Sequence, residues 1–125
     1  MLVTVVAQQA ILAQTPVIKW DFETVKNRGV IEASTNITDT IEGNFEWVEG
    51  VTGKGLRLDG FTTRVIRKGE DIRKPGAAFT IEAWVSLGEY PLNWCPVITT
   101  ESDEVKGYRL LIGPYGQVSF SNSYQ

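Results

Sequence analysis

The chain has 125 residues, of which 42% are hydrophobic and 22% charged, with a formal net charge of −3. That length suits one domain with a modest core, and the composition is that of a folded chain, not a disordered one. Acidic and basic side chains are interleaved, which leaves no basic stripe for nucleic acid or an anionic membrane. With no histidine and a lone cysteine, Cys95, the chain also lacks a histidine general base, an internal disulfide and a thiolate zinc site.

Residues 1–14 contain no charged side chain. Ala13 is the small residue expected before a signal-peptidase cut, yet no Lys or Arg precedes a run that Gln8 and Gln9 interrupt. Residues 1–15 are therefore either the remnant of an export signal or an N-terminal strand, the latter favoured by Leu2, Val3, Val5 and Val6. No run approaches the roughly 20 apolar residues of a membrane span. The folded domain is assigned to residues 16–125.

From Val17 the pattern is that of strands. In residues 17–23, Ile18, Trp20 and Phe22 alternate with Lys19, Asp21 and Glu23, which predicts a strand with one apolar face. Residues 24–44 are polar and broken by Gly29 and Gly43, and read as a long connection with a short strand at Val30, Ile31 and Glu32. Asn36-Ile37-Thr38 matches an N-glycosylation acceptor, relevant only in an exporting eukaryote. Phe45-Glu46-Trp47-Val48 leads into a turn punctuated by Gly50, Gly53 and Gly55, and Leu56 and Leu58 share a face on the strand leaving it. Trp20 and Trp47 are assigned to core packing. Val65 and Ile66 suggest a further short strand, and residues 68–76, charged and containing Pro75, a surface loop.

Residues 78–86 carry the strongest alternation. Phe79, Ile81, Ala83 and Val85 would line one face, with Thr80, Glu82, Trp84 and Ser86 on the other, which predicts a central strand with Trp84 in a structural role. Tyr90-Pro91-Leu92-Asn93-Trp94-Cys95-Pro96 is an aromatic loop whose prolines exclude a central strand. Residues 97–100, 107–113 and 117–121 read as three more strands, the last two joined by a tight turn at Pro114-Tyr115-Gly116. No segment sustains a 3.6-residue period. The expected class is all-β, an antiparallel β-sandwich.

Four stretches in order carry a family resemblance: Trp20-Asp21-Phe22-Glu23, then residues 53–60 (Gly-Lys-Gly-Leu-Arg-Leu-Asp-Gly), then residues 79–85, then Gly107-Tyr108 with Leu110 and Ile112. In this the chain resembles the laminin-G-like jelly rolls of the concanavalin A-like lectin and glucanase superfamily over roughly residues 17–121. The resemblance implies a jelly roll, incomplete at its C-terminal end, because the family continues past the position of Gln125 with a tryptophan-containing strand and an Asn-Gly hairpin. The remainder of a parent chain or a neighbouring chain would then complete the sandwich. The loop at residues 90–96 is similar to laminin-G-like modules attached to secreted glycoside hydrolases acting on fructans or related sugars. A secreted, periplasmic or cell-surface location follows from the same likeness. The connection after Glu23 lacks the Asp-Ser-Gly-Asn type of turn common in the family.

Glucanases of this superfamily use Glu-x-Asp-x-x-Glu, with the nucleophile and its helper on one strand face. The nearest approach is Glu101-Ser102-Asp103-Glu104-Val105-Lys106, where lysine replaces the acid/base and a polar turn is the simpler reading. Gly50-Val51-Thr52-Gly53-Lys54-Gly55 lacks the Walker spacing and reads as a turn. No catalytic residue is assigned. A sugar needs less machinery: aromatic faces for its C–H groups and fixed polar groups for its hydroxyls. Tyr90, Asn93 and Trp94 supply both within one proline-stiffened loop and are the candidate carbohydrate-binding residues. The resemblance also implies calcium, for which Glu23 and Asp59 are the candidate ligands.

Three functions follow. The leading one is a non-catalytic carbohydrate-binding or accessory module of a secreted, glycoside-hydrolase-associated protein, with a polysaccharide or oligosaccharide as ligand. The second is a structural or protein-interaction sandwich that needs a partner chain. The third is part of a concanavalin A-like glycoside hydrolase, requiring paired carboxylates in a cleft.

Overall fold

A computed structural model describes residues 15–72, 76–100 and 106–123. The strands are β1 (Val25–Lys26), β2 (Gly29–Ile31), β3 (Thr38–Glu42), β4 (Phe45–Glu49), β5 (Lys54–Leu58), β6 (Arg64–Ile66), β7 (Cys95–Thr99), β8 (Tyr108–Ile112) and β9 (Val118–Asn122), with one 3-10 turn at Gly69–Asp71. Every pairing among the described residues is antiparallel, and the all-β class expected from the sequence is the one observed. The chain divides into two compact units, one ending at Ile81 and one beginning at Glu82. Of the expected export remnant or N-terminal strand at residues 1–15 and the expected polar turn at residues 101–106, residues 1–14 and 101–105 lie outside the described residues.

In the first unit one sheet runs in the order β1-β2-β3-β6, and β4 and β5 form a separate hairpin. Alternation along β3 buries Asp39 and Ile41 and exposes Thr38, Thr40 and Glu42. Val30 on β2 and Ile41 on β3 are fully buried, and the two side chains buried with them are Glu32 and Asp39. Each aliphatic side chain so buried contributes about 1.5–3 kcal/mol. The stretch read as a long connection, residues 24–44, thus holds three strands and the best-buried part of the unit. The β4–β5 hairpin follows expectation, with Trp47 opposite Leu56 and Phe45 opposite Leu58. Trp47 meets the ring of Phe45 edge-on at 5.5 Å and that of Phe22 at 6.3 Å.

Two expected strands are not formed. Residues 17–23 join no ladder because Phe22 adopts φ 60, a left-handed conformation that breaks the alternation. The segment is instead tied down singly: Ala33 N–H donates to Lys19 C=O at 2.9 Å, and Trp20 turns its indole N–H to Asp39. Residues 78–86, the expected central strand, also lie outside every sheet among the described residues, and Trp84 is 86% exposed. Alternation creates an apolar face only when neighbouring strands extend it, and no described strand pairs with this segment.

The second unit is a three-stranded meander, β7-β8-β9. Pro96 lies on the edge strand β7, where its missing N–H is tolerated, and the register shifts between Pro96 and Ile98. The β8–β9 connection is the expected tight turn: Gly116 N–H donates to Gly113 C=O at 2.9 Å and Gly113 N–H to Gln117 C=O at 2.8 Å.

Candidate functional site

The aromatic loop lies against the β8–β9 turn. Cys95 pairs with Ile112, which brings the preceding residue, Trp94, to Gly113. A Cβ on Gly113 would stand 3.0 Å from Cη2 and Cζ3 of the indole. Tyr90 reaches the other end of the same turn, where a Cβ on Gly116 would stand 2.9 Å from its Cε1. Gly116 has φ 78, a conformation that side chains rarely adopt, so the turn and the ring contact both call for glycine. The ends of a β-turn are within about 7 Å of each other, and both loop aromatics are accordingly braced on one turn.

Neither ring is consumed by packing. Tyr90 is 65% exposed and Trp94 49%, and Asn93 between them is exposed as well. The three residues that the sequence groups are thus presented on one loop with their polar and aromatic groups open to solvent. Such a surface can stack the C–H face of a sugar and offer amide donors and acceptors to its hydroxyls.

Glu23 and Asp59 sit in separate turns. Glu23 Oε1 accepts the N–H of Lys54 at 2.6 Å, bracing the start of β5. Asp59 closes its own turn: Oδ1 accepts N–H groups from Phe61 at 3.0 Å, Thr62 at 2.7 Å and Thr63 at 3.0 Å, and the Thr62 hydroxyl donates to Oδ2. The Thr62 hydroxyl, followed by the Phe61 and Thr62 amides, holds the Asp59 carboxyl well below the usual carboxylate range. A hard cation wants several free oxygens, and a cluster of three or more acidic or cysteine side chains is not found among the described residues.

A second polar cluster escaped the sequence reading. Arg67 donates from Nε to Asp39 Oδ1 at 3.0 Å and from a terminal nitrogen to Asp39 Oδ2 at 2.8 Å, while that nitrogen lies 3.5 Å from Glu32 Oε2. Trp20 Nε1 donates to Asp39 Oδ2 at 2.6 Å, and the guanidinium stands 5.6 Å from the centre of the Trp20 rings. Hydrogen bonding to Asp39 is the first cause of a raised Arg67 pKa. Glu32 accepts from the backbone of Lys19, Ser34 and Thr35 and from the Thr35 hydroxyl. Burial pushes its carboxyl up, but the Thr35 hydroxyl and the backbone donors together outweigh burial and hold it lowered to about 2. A carboxyl so lowered carries no proton to donate at neutral pH, so Glu32 is not poised as a general acid. One signal was available: Glu32 and Asp39 each lie two residues from a buried aliphatic, Val30 and Ile41, in phase with the core.

Comparison with protein-family models, with curated proteins and with solved structures found no match.

Proposed function

We propose that the chain is a non-catalytic carbohydrate-binding or accessory module, built as a laminin-G-like jelly roll of the concanavalin A-like superfamily and belonging to a secreted, glycoside-hydrolase-associated protein. The observation that carries the binding reading is the loop with Tyr90, Asn93 and Trp94, whose rings reach Gly116 and Gly113 and remain about half exposed or more. Stiff aromatic faces beside an amide are what a sugar ring requires, and a loop braced on a hairpin turn loses little entropy when it binds. Retention of the chain on a panel of polysaccharides tests this reading. Binding to at least one glycan, weakened by Trp94→Ala, is expected; no binding, or binding indifferent to that change, rejects it.

A structural or protein-interaction role is the second reading, favoured by Trp84, Val85 and Leu87. These are 86%, 50% and 43% exposed on a segment that joins no ladder among the described residues. A partner strand adding there would bury them. A co-purified chain, or a dimer abolished by Trp84→Lys, would favour this role over the first.

A further inference from the structure

We propose that Tyr115 and Gln117 complete the surface formed by Tyr90 and Trp94, and that the completed surface takes a neutral oligosaccharide chain; the proposal rests on the carbohydrate-binding reading above. Tyr115 stands in the β8–β9 turn between the two glycines that carry the other rings, next to Gly116 with its Tyr90 contact and two residues from Gly113 with its Trp94 contact. It is 81% exposed. A tyrosine left this far in water contributes little to folding by burial, so the fold gives no reason for a large ring at the tip of a tight turn.

Gln117 adds a polar group of fixed direction. Its side-chain Oε1 accepts the N–H of Tyr115 at 2.9 Å, and its backbone C=O accepts the N–H of Gly113. With the amide oxygen held by the turn, the amide NH2 remains as a donor at the same turn. A Cβ on Gly113 would stand 2.6 Å from that oxygen, so Gln117 and Trp94 converge on one glycine. Rings at both ends and the tip of the turn offer more than one stacking position, which suits consecutive sugar units better than a single residue.

Charge selects the class of chain. Residues 89–96 and 113–117 contain one carboxylate, Glu89, and neither lysine nor arginine. Arg109 lies four residues before Gly113 along β8, roughly 13 Å of strand away. Within these two segments a sulfated or uronic-acid chain would meet Glu89 and no cation, whereas a neutral chain needs no counter-charge.

The test measures binding of the full chain to neutral polysaccharides (xylan, mixed-linkage glucan, inulin) and anionic ones (heparin, polygalacturonate, alginate), each at low and high salt. Binding to a neutral chain that is insensitive to salt is expected. Tyr115→Ala should weaken it roughly tenfold and Tyr115→Trp should retain it, the loss being that of one ring contact. Gln117→Glu, which keeps the acceptor and removes the donors, should weaken it about fivefold. Unchanged thermal unfolding of the variants assigns these losses to the surface. Neutral-chain binding that Trp94→Ala abolishes but Tyr115→Ala and Gln117→Glu leave intact overturns this proposal alone, as does salt-sensitive preference for an anionic chain. No binding to any member of the panel overturns it together with the reading beneath it.

Discussion

Arg67 holds Asp39 by two nitrogens at 2.8–3.0 Å, and both side chains are almost fully shielded from water. Removing the guanidinium leaves two buried carboxylates, Asp39 and Glu32, without their counter-ion. Arg67→Ala should therefore destabilise the protein by roughly 3–5 kcal/mol. Arg67→Lys should recover only part of this, because an ammonium cannot grip both oxygens of Asp39 in the same geometry. Urea unfolding followed by tryptophan fluorescence measures both.

Glu32 makes stability depend on acid. Its carboxyl is lowered from 4.5 to about 2 in the folded chain, so the stabilisation is fully present above pH 4.5 and is lost as pH falls toward 2. The shift corresponds to roughly 3 kcal/mol between the two limits. Urea midpoints measured from pH 7 down to pH 2 should fall steeply in that window. Glu32→Gln should lower stability at neutral pH and flatten the slope.

Gly116 combines a φ of 78 with close approach of the Tyr90 ring. Gly116→Ala should cost about 1–3 kcal/mol and displace Tyr90. Gly88→Ala is the comparison, since no neighbouring atom lies within 4 Å of the Cβ it would add and its φ is not positive. Thermal unfolding of the pair should show a clear loss for the first and little change for the second. Glycan binding should weaken in Gly116→Ala alone.

Asp59 accepts its donors from the turn that it closes. Asp59→Ala should lower Tm by unfastening residues 59–63. Calcium added to the wild-type chain should leave Tm unchanged, since binding through this carboxylate would displace turn amides. A calcium-dependent rise in Tm that Asp59→Asn removes would instead assign a cation site to this turn.

Trp84 separates two pictures of residues 78–86. With the ring 86% exposed, Trp84→Ser should change stability by no more than about 0.5 kcal/mol. A tryptophan in the core of a central strand would cost about 3–5 kcal/mol on truncation. Chemical denaturation decides between them.

What could be read from the chain depended on how each residue declares its surroundings. The β4–β5 hairpin and the β7–β9 meander were legible because apolar alternation ran between glycine turns, and the loop at residues 90–96 because its aromatics and prolines are adjacent. β2 was read in part, from Val30, Ile31 and Glu32, but β3 was not: its inward positions include Asp39, which, like Glu32 just past β2, looks like a surface residue until Arg67, 28 or more residues away, is known to face it. Residues 17–23 misled in the opposite sense, since nothing in the alternation signals the positive φ of Phe22. Tyr115 was visible as a turn residue, yet its place in the turn that braces Tyr90 and Trp94 depends on the pairing of β7 with β8, a relation between distant residues.

The edge of the second unit's sheet bears on what can reach Trp94. Pro96 offers no N–H and the register slips just after it, so β7 is a poor template for another strand. A chain adding at that edge would run past the indole and cover it. By discouraging such growth, two residues beyond the ring, the proline and the slipped register keep a neighbouring backbone from covering the aromatic face.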